Sequence, residues 1–231
     1  MFNSKEEQKY ERLRKLGQEL HIPIPEAFLT LEVFGKNGKL LQRYHQRSHS
    51  WVRNAYNVMF SQMAMKNGDD PVWGAGHLNV KKTSGAIWSF EICLGTGGTG
   101  KDVDGTSEGY RAPAGIAVKG ILVGSGTDAE SFEDFFLQTQ IAEGAGAGQL
   151  NHAQSEAHAI SYAALVFKNE LARYFNNNSG GNIDVNEVVL TAEAGSGVEH
   201  IVSRDKLPAT VTVPDTGQLK VTYTIQLTYP S

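Results

Sequence analysis

Apolar residues near the start of the chain recur at three- and four-residue steps, Tyr10, Leu13, Leu16 and Leu20, with charges between them. This spacing predicts a helix over Ser4 to Leu20. Ser4 followed by Glu7 has the form of a capping box, and His21-Ile22-Pro23-Ile24-Pro25 stops the helix by forcing extension before proline. The stripe is narrow, so the helix needs a surface to dock on, either on its own domain or on a neighbour. Next, Leu29, Leu31 and Val33 alternate with Thr30 and Glu32. Asn37-Gly38 follows, and Leu40 to His45 runs back, which predicts a hairpin. Ser50 then caps a second helix, Trp51 to Lys66, with Trp51, Ala55, Val58, Met59 and Met63 along one side.

Beyond that point strands dominate. Ala86 to Leu94 and Gly115 to Val123 are short apolar runs. Ala157 to Phe167 and Glu170 to Phe175 read as strand. The turn cluster Asn176 to Gly181 then leads into a returning strand, Ile183 to Ala192. Leu207, Ala209, Val211 and Val213 alternate with polar residues or proline. The closing segment is the most regular, with Leu219, Val221, Tyr223, Ile225, Leu227 and Tyr229 alternating with Lys220, Thr222, Thr224, Gln226 and Thr228. Such a strand puts one face on a core and the other on water or a partner. The expected fold is therefore mainly β, an antiparallel sandwich of jelly-roll-like character with an N-terminal helix and one further helix. The expected organisation is a helical arm over 1–25 and a sandwich domain over 26–231. That domain carries one inserted helix (about 50–66) and two long aperiodic loops (67–84 and 96–113) suited to packing on neighbouring subunits.

Composition narrows the function classes. The 231 residues carry a formal net charge of -4, with no basic stripe for neutralising phosphates, so specific nucleic-acid binding is not expected. One cysteine, Cys93, supports neither a disulfide nor a thiolate zinc site. The charged start lacks the apolar core of a signal peptide. No apolar run reaches the length of a membrane helix, so no membrane partner is expected. The 25 glycines cluster where a protein of many strands needs turns.

The candidate chemistry has simpler explanations. Gly95 to Lys101 fits part of a phosphate-binding loop, but Asp102 replaces the magnesium-binding hydroxyl, and Gly105, Gly109 and Pro113 prevent the following helix. Asp102, Asp104 and Glu108 fall short of a calcium loop, although calcium at a subunit contact stays open at Asp102 and Asp104. His152, Glu156 and His158 lie close in sequence, yet no second cluster completes a metal site, and they read as polar surface residues. His45 and His49 beside Arg43, Arg47 and Arg53 form a positive patch suited to an acidic partner. Cys93 lies in an apolar run that would raise its thiol pKa. No serine sits in a nucleophile elbow, and no carboxylate pair marks a hydrolase. No catalytic, cofactor or metal residue is assigned, and no enzyme is expected.

Several stretches carry a resemblance: Ser48 to Asn54; Gly120 to Thr127 followed by Ser131 to Phe135 and Leu137; Asn177 to Val188; and Ser203-Arg204-Asp205 leading to Val211-Thr212-Val213 and Leu219 to Ile225. Their order, across about residues 27 to 229, resembles structural proteins of tailed bacteriophages. The chain departs from that pattern at Val189, where the family has glycine before an aromatic-ended strand. The resemblance implies a β-rich subunit of a head, neck or tail, located in the virion after assembly in the host cytoplasm. Its partners would be copies of itself and other virion proteins. The alternative is a carbohydrate-binding sandwich at a tail or fibre, for which Trp51, Trp73 and Trp88 are stacking candidates; Trp51 and Trp88 read more simply as core.

Overall fold

The computed structural model describes residues 4–64, 79–89, 106, 109–194 and 197–230. Along the chain run α1 (Ser4–Glu19), β1 (Ile24–Phe34), β2 (Leu40–Arg47), α2 (Arg53–Ala64), β3 (Asn79–Lys81), β4 (Ile87–Ser89), β5 (Gly120–Gly124) and β6 (Asn151–His152). They are followed by β7 (Ala159–Ala163), β8 (Val166–Asn176), β9 (Ile183–Glu193), β10 (Glu199–Val213) and β11 (Gln218–Thr228). The expected antiparallel sandwich with two helices is the observed architecture. Its larger sheet has the order β2-β1-β11-β8-β6, with β7 also on β8, and its smaller sheet is β10-β9-β5.

The core lies between the sheets because the period of two is kept on both. Leu29, Leu31 and Val33 of β1, Leu219, Val221 and Tyr223 of β11, and Leu171 and Phe175 of β8 meet Ile121 and Val123 of β5. On the same side they meet Val188 and Leu190 of β9 and Val202, Val211 and Val213 of β10. The outer face of the smaller sheet carries a second cluster, Leu122, Val189 and Ile201, covered by Val52 and Leu137.

Several expectations change. The strand after Asn176 to Gly181 does not return beside β8; β9 pairs with β5 and β10 in the other sheet. The turn is a corner between layers, held by Asn177, which is buried and donates from Nδ2 to the carbonyls of Gly181 (2.8 Å) and Val213 (2.9 Å). The break placed at residues 168 and 169 lies instead at Ala164 and Leu165, which turn β7 into β8 with φ of 48° and 63°. Non-glycine residues rarely adopt that conformation, so nothing in the composition announced it. The pieces around 203–213 are one strand of 15 residues with two register shifts. Gly115 to Val123 yields a strand only from Gly120, and of the run from Ala86 to Leu94 only Ile87–Ser89 is described as strand. Within the span 67–84, expected to be loop, β3 pairs with β4.

Helix α1 sits against the outer face of the larger sheet, with Tyr10 the one member of its apolar stripe that docks. Leu13, Leu16 and Leu20 are exposed. The docked side is Glu7, Tyr10, Arg14 and Gly17, one helical face. Glu7 accepts from Arg47 Nη2 (2.7 Å), and Arg14 donates to Glu26 Oε1 (2.8 Å). The Arg47 guanidinium lies 3.7 Å from the centre of the Tyr10 ring. A Cβ on Gly17 would meet Ile24 at 2.6 Å, so glycine permits the close approach. Electrostatics decide the docking face. Glu26 and Arg47 are buried on the sheet and bonded to each other at 2.6 Å; Gln226 of β11 donates to Glu26 Oε2 (3.2 Å), and α1 adds Arg14 to Glu26 and Glu7 to Arg47.

Candidate interaction surface

The ionisable groups that the fold buries hold loops in place. Glu187 and Arg204, both fully buried, are bonded from Arg204 Nε to Glu187 Oε2 at 2.8 Å. Glu187 also accepts the backbone N–H groups of Gly126 (3.2 Å), Gln138 (3.2 Å) and Thr139 (2.9 Å). Arg204 further donates to Asp134 Oδ2 (2.9 Å) and to the carbonyls of Ala129 and Asp128. One ion pair thus pins the segment from Gly126 to Thr139 onto the smaller sheet. Arg173 works without a carboxylate in its hydrogen-bond shell, donating to the carbonyls of Ala153, Lys119, Ile121, Pro113 and Ile116. Burial lowers its pKa to about 10, which still leaves it charged at neutral pH.

A third node joins β10, β11 and the residue following β2. Asp205 Oδ2 accepts from Ser48 Oγ (2.8 Å) and from the Tyr223 hydroxyl, while its Oδ1 is buried with no partner among the described residues. Burial raises the Asp205 carboxyl to about 6, against the lowering effect of those two hydrogen bonds. The same burial lifts the Tyr223 phenol well above its ordinary value.

The residues singled out in the sequence do not converge. His152 is buried and packs edge-on against Phe175, 5.0 Å between ring centres; burial first, then Arg173, lowers its pKa to about 4. It is a core residue, not the surface residue expected. Glu156 is exposed and His158 bonds Asn169, so the three form no site. Among the described residues no group of three or more His, Cys, Asp or Glu is placed to hold a metal ion. The expected positive patch is neutralised internally, because Arg47 pairs with Glu26 and Glu7, Arg53 with Glu133, and Arg43 with Glu32 (3.5 Å). Trp51 packs against the core, as expected, whereas Trp88 is exposed beneath Lys82. Cys93, Gly95 to Lys101, Asp102, Asp104, Glu108 and Trp73 lie outside the described residues.

Among the described residues, large apolar side chains gather on the surface instead, and three of the groups stand out. Leu13, Leu16 and Leu20 with Ile22 line the free side of α1. Tyr56, Phe60 and Met63 of α2 lie exposed, with Phe132 tilted against Tyr56 at 5.6 Å. The third patch is built by the larger sheet itself. The alternation that puts Leu171, Tyr223 and Leu219 in the core continues along β8 and β11 to Phe167, Leu227 and Tyr229, where the smaller sheet no longer covers it. Tyr162 of β7 stands opposite Phe167, and Tyr162, Phe167 and Tyr229 form a ring cluster with centres 5.5 to 6.3 Å apart. Ile160 and Leu165 are exposed beside them. Sequence reasoning located the strands but not this overhang, because an alternating strand looks the same whether or not its apolar face is covered.

A polar cleft of about 470 Å³ opens at the other end of the larger sheet, lined by Phe34, Lys36, Tyr174, Asn176, Asn178 and Gln218 among others. Among the described residues no helix is long and apolar enough to cross a membrane. Comparison with protein-family models, with curated proteins and with solved structures found no match to the chain.

Proposed function

We propose that the chain is a structural subunit of a tailed-bacteriophage virion, assembling through repeated contacts with copies of itself and with other virion proteins, and performing no catalysis. The observation that carries this reading is the division of apolar surface: a closed sandwich core and, outside it, three exposed clusters of large side chains. Monomeric proteins rarely leave contiguous patches of that kind uncovered, because each is a standing drive to associate. The use of Glu187, Arg204 and Arg173 to fasten loops fits a protein whose surface shape is its product. The order of turns and strands across residues 27 to 229, which resembles tailed-phage structural proteins, suggests the assembly.

A second reading has its own observation. The cleft beside Tyr174 and Phe34 offers aromatic faces together with the amides of Asn176, Asn178 and Gln218, a combination suited to a neutral saccharide. The test is the mass of the purified chain in solution, with negative-stain images of the same sample. Rings, trimers or tubes support the subunit. A monomer at every concentration that binds glycans on an array supports the saccharide module instead, and a monomer turning over a substrate refutes both.

A further inference from the structure

We propose that β7 is a self-pairing edge, through which two copies of the chain join their larger sheets across a two-fold axis. The backbone argument comes first. Among the described residues β7 pairs only with β8, and every residue from Ala159 to Ala163 is exposed. In a hairpin closed by a two-residue turn, Ala163 and Val166 form a hydrogen-bonded pair, so alternate residues along β7 direct their N–H and C=O groups outward. Those residues are Ile160 and Tyr162. Natural sheets protect such edges with lysine, proline, bulges or inward charges. Ala-Ile-Ser-Tyr-Ala contains none of these, and its pairing with β8 runs without a register shift.

A second copy is the occupant that matches. An antiparallel strand pairs with itself under two-fold symmetry, each residue meeting its counterpart's complement. With Ser161 on the axis, Ile160 faces Tyr162 of the second copy, and the pair exchanges both of its backbone hydrogen bonds. The flanking face is also self-complementary. Ile160, Tyr162, Leu165, Phe167 and Tyr229 are between 37 and 61% exposed. At roughly 200 Å² for a large side chain, they present on the order of 450 Å² of mainly apolar surface per copy. Of these, Ile160 and Tyr162 stand on the pairing strand and meet across the axis, while Phe167 and Tyr229 lie one and two strands further in and extend the same apolar face into the second copy's sheet. The strained turn at Ala164 and Leu165 fits the same arrangement. It folds β7 back tightly enough to lie as the outermost strand, with the Leu165 carbonyl held by the Tyr229 N–H at 2.8 Å.

This pairing needs only the chain itself. A particle assembled through other surfaces would leave the subunit reading intact and refute the edge, and a simple dimer with no virion role would do the reverse. The experiment is the solution mass of the full chain by sedimentation from low to high micromolar concentration, for the native protein and for Ile160→Lys, Tyr162→Lys and Leu40→Lys. All three side chains are exposed, so unchanged thermal midpoints verify that the variants fold. A native mass twice that of Ile160→Lys and Tyr162→Lys, with Leu40→Lys keeping the native mass, is the expected result. A native monomer throughout the range overturns the pairing, since some other part of the chain must then shield the overhang. So does an oligomer whose mass the two β7 substitutions leave unchanged.

Discussion

Replacing Glu187 by glutamine removes one charge from a fully buried pair while keeping the size of the side chain. Glu187 accepts through both oxygens, from Gly126 and Thr139 on one and from Gln138 and Arg204 on the other. A glutamine keeps one acceptor. In either orientation its amide N–H₂ confronts two donors, so two hydrogen bonds are lost and replaced by repulsion. If the Arg204 side is lost, a charge-assisted bond worth about 1.5 to 3 kcal/mol goes with a neutral one worth about 1. Breaking a buried ion pair costs about 3 to 5 kcal/mol in general. Asp134 still serves Arg204, which places this variant near the lower end, at about 3 kcal/mol. With a urea slope of about 2.5 kcal/mol per molar, the unfolding midpoint falls by about 1.2 M with the slope unchanged. Arg204→Met leaves the fully buried Glu187 without its cation, beside the partly buried Asp134, and costs at least as much. Combining the two changes recovers about 2 kcal/mol of the summed losses, because each alone orphans a partner that the double variant no longer contains. The measurement is urea unfolding followed by circular dichroism for the four proteins. Strict additivity, or a loss below about 1 kcal/mol for Glu187→Gln, would show that the pair is not what holds the segment from Gly126 to Thr139.

Two further outcomes follow from neighbouring geometry. A Cβ on Gly126 would land on the Glu187 carboxylate and 2.8 Å from Gln138 Cβ, whereas one on Gly181 meets nothing within 4 Å. Gly126→Ala therefore loses about 2 to 3 kcal/mol in the same urea assay and Gly181→Ala less than about 0.5; equal effects would exclude steric closeness as the reason for glycine at 126. The Asp205 carboxyl titrates at about 6 in the folded chain against 3.8 as its ordinary value, so the folded state holds the proton more tightly. Its contribution is greatest below pH 3.8 and is lost as pH rises through about 6. His152, lowered from 6.5 to about 4, acts in the opposite sense, with stability falling as pH drops from 6.5 to about 4. Subtracting the native profile from that of Asp205→Asn cancels the histidine. The variant should gain up to about 3 kcal/mol above pH 6.5 and nothing below pH 4, and a flat difference across that range would disprove an ionised Asp205 in the core.

The sequence made the layers legible because alternation is a local property. Leu219 to Tyr229 declared a strand, and Lys36-Asn37-Gly38-Lys39 declared the turn between β1 and β2, with Gly38 at φ 73°. What stayed hidden depends on partners distant in the chain. Arg204 and Asp205 entered the sequence reading only as part of a stretch leading to Val211; the fold turns them to buried nodes, one at Glu187 and one at Tyr223. The apolar stripe of α1 suggested the wrong docking side, because the deciding groups, Glu26 and Arg47, lie on strands whose own pattern gives no hint that charges are buried there. His152 and Arg173 mislead in the same way, since a polar letter in a strand does not say which face it takes. A signal was available at 171, 173 and 175: the period of two puts Arg173 on the face of Leu171 and Phe175, and therefore inside.

The central pairing of the larger sheet has a consequence for how the protein comes into being. β1 lies between β2 and β11, with Ile24 opposite Thr228 and Phe34 opposite Gln218. β1 must therefore wait during synthesis, its apolar face open, until β11 has emerged. Contacts this remote in sequence close slowly. During that interval the hairpin of β1 and β2 is a sticky, half-built object, prone to capture by a neighbouring nascent chain. The larger sheet therefore closes around β1 only once β11 has been made, and the folded layer is a late product of synthesis.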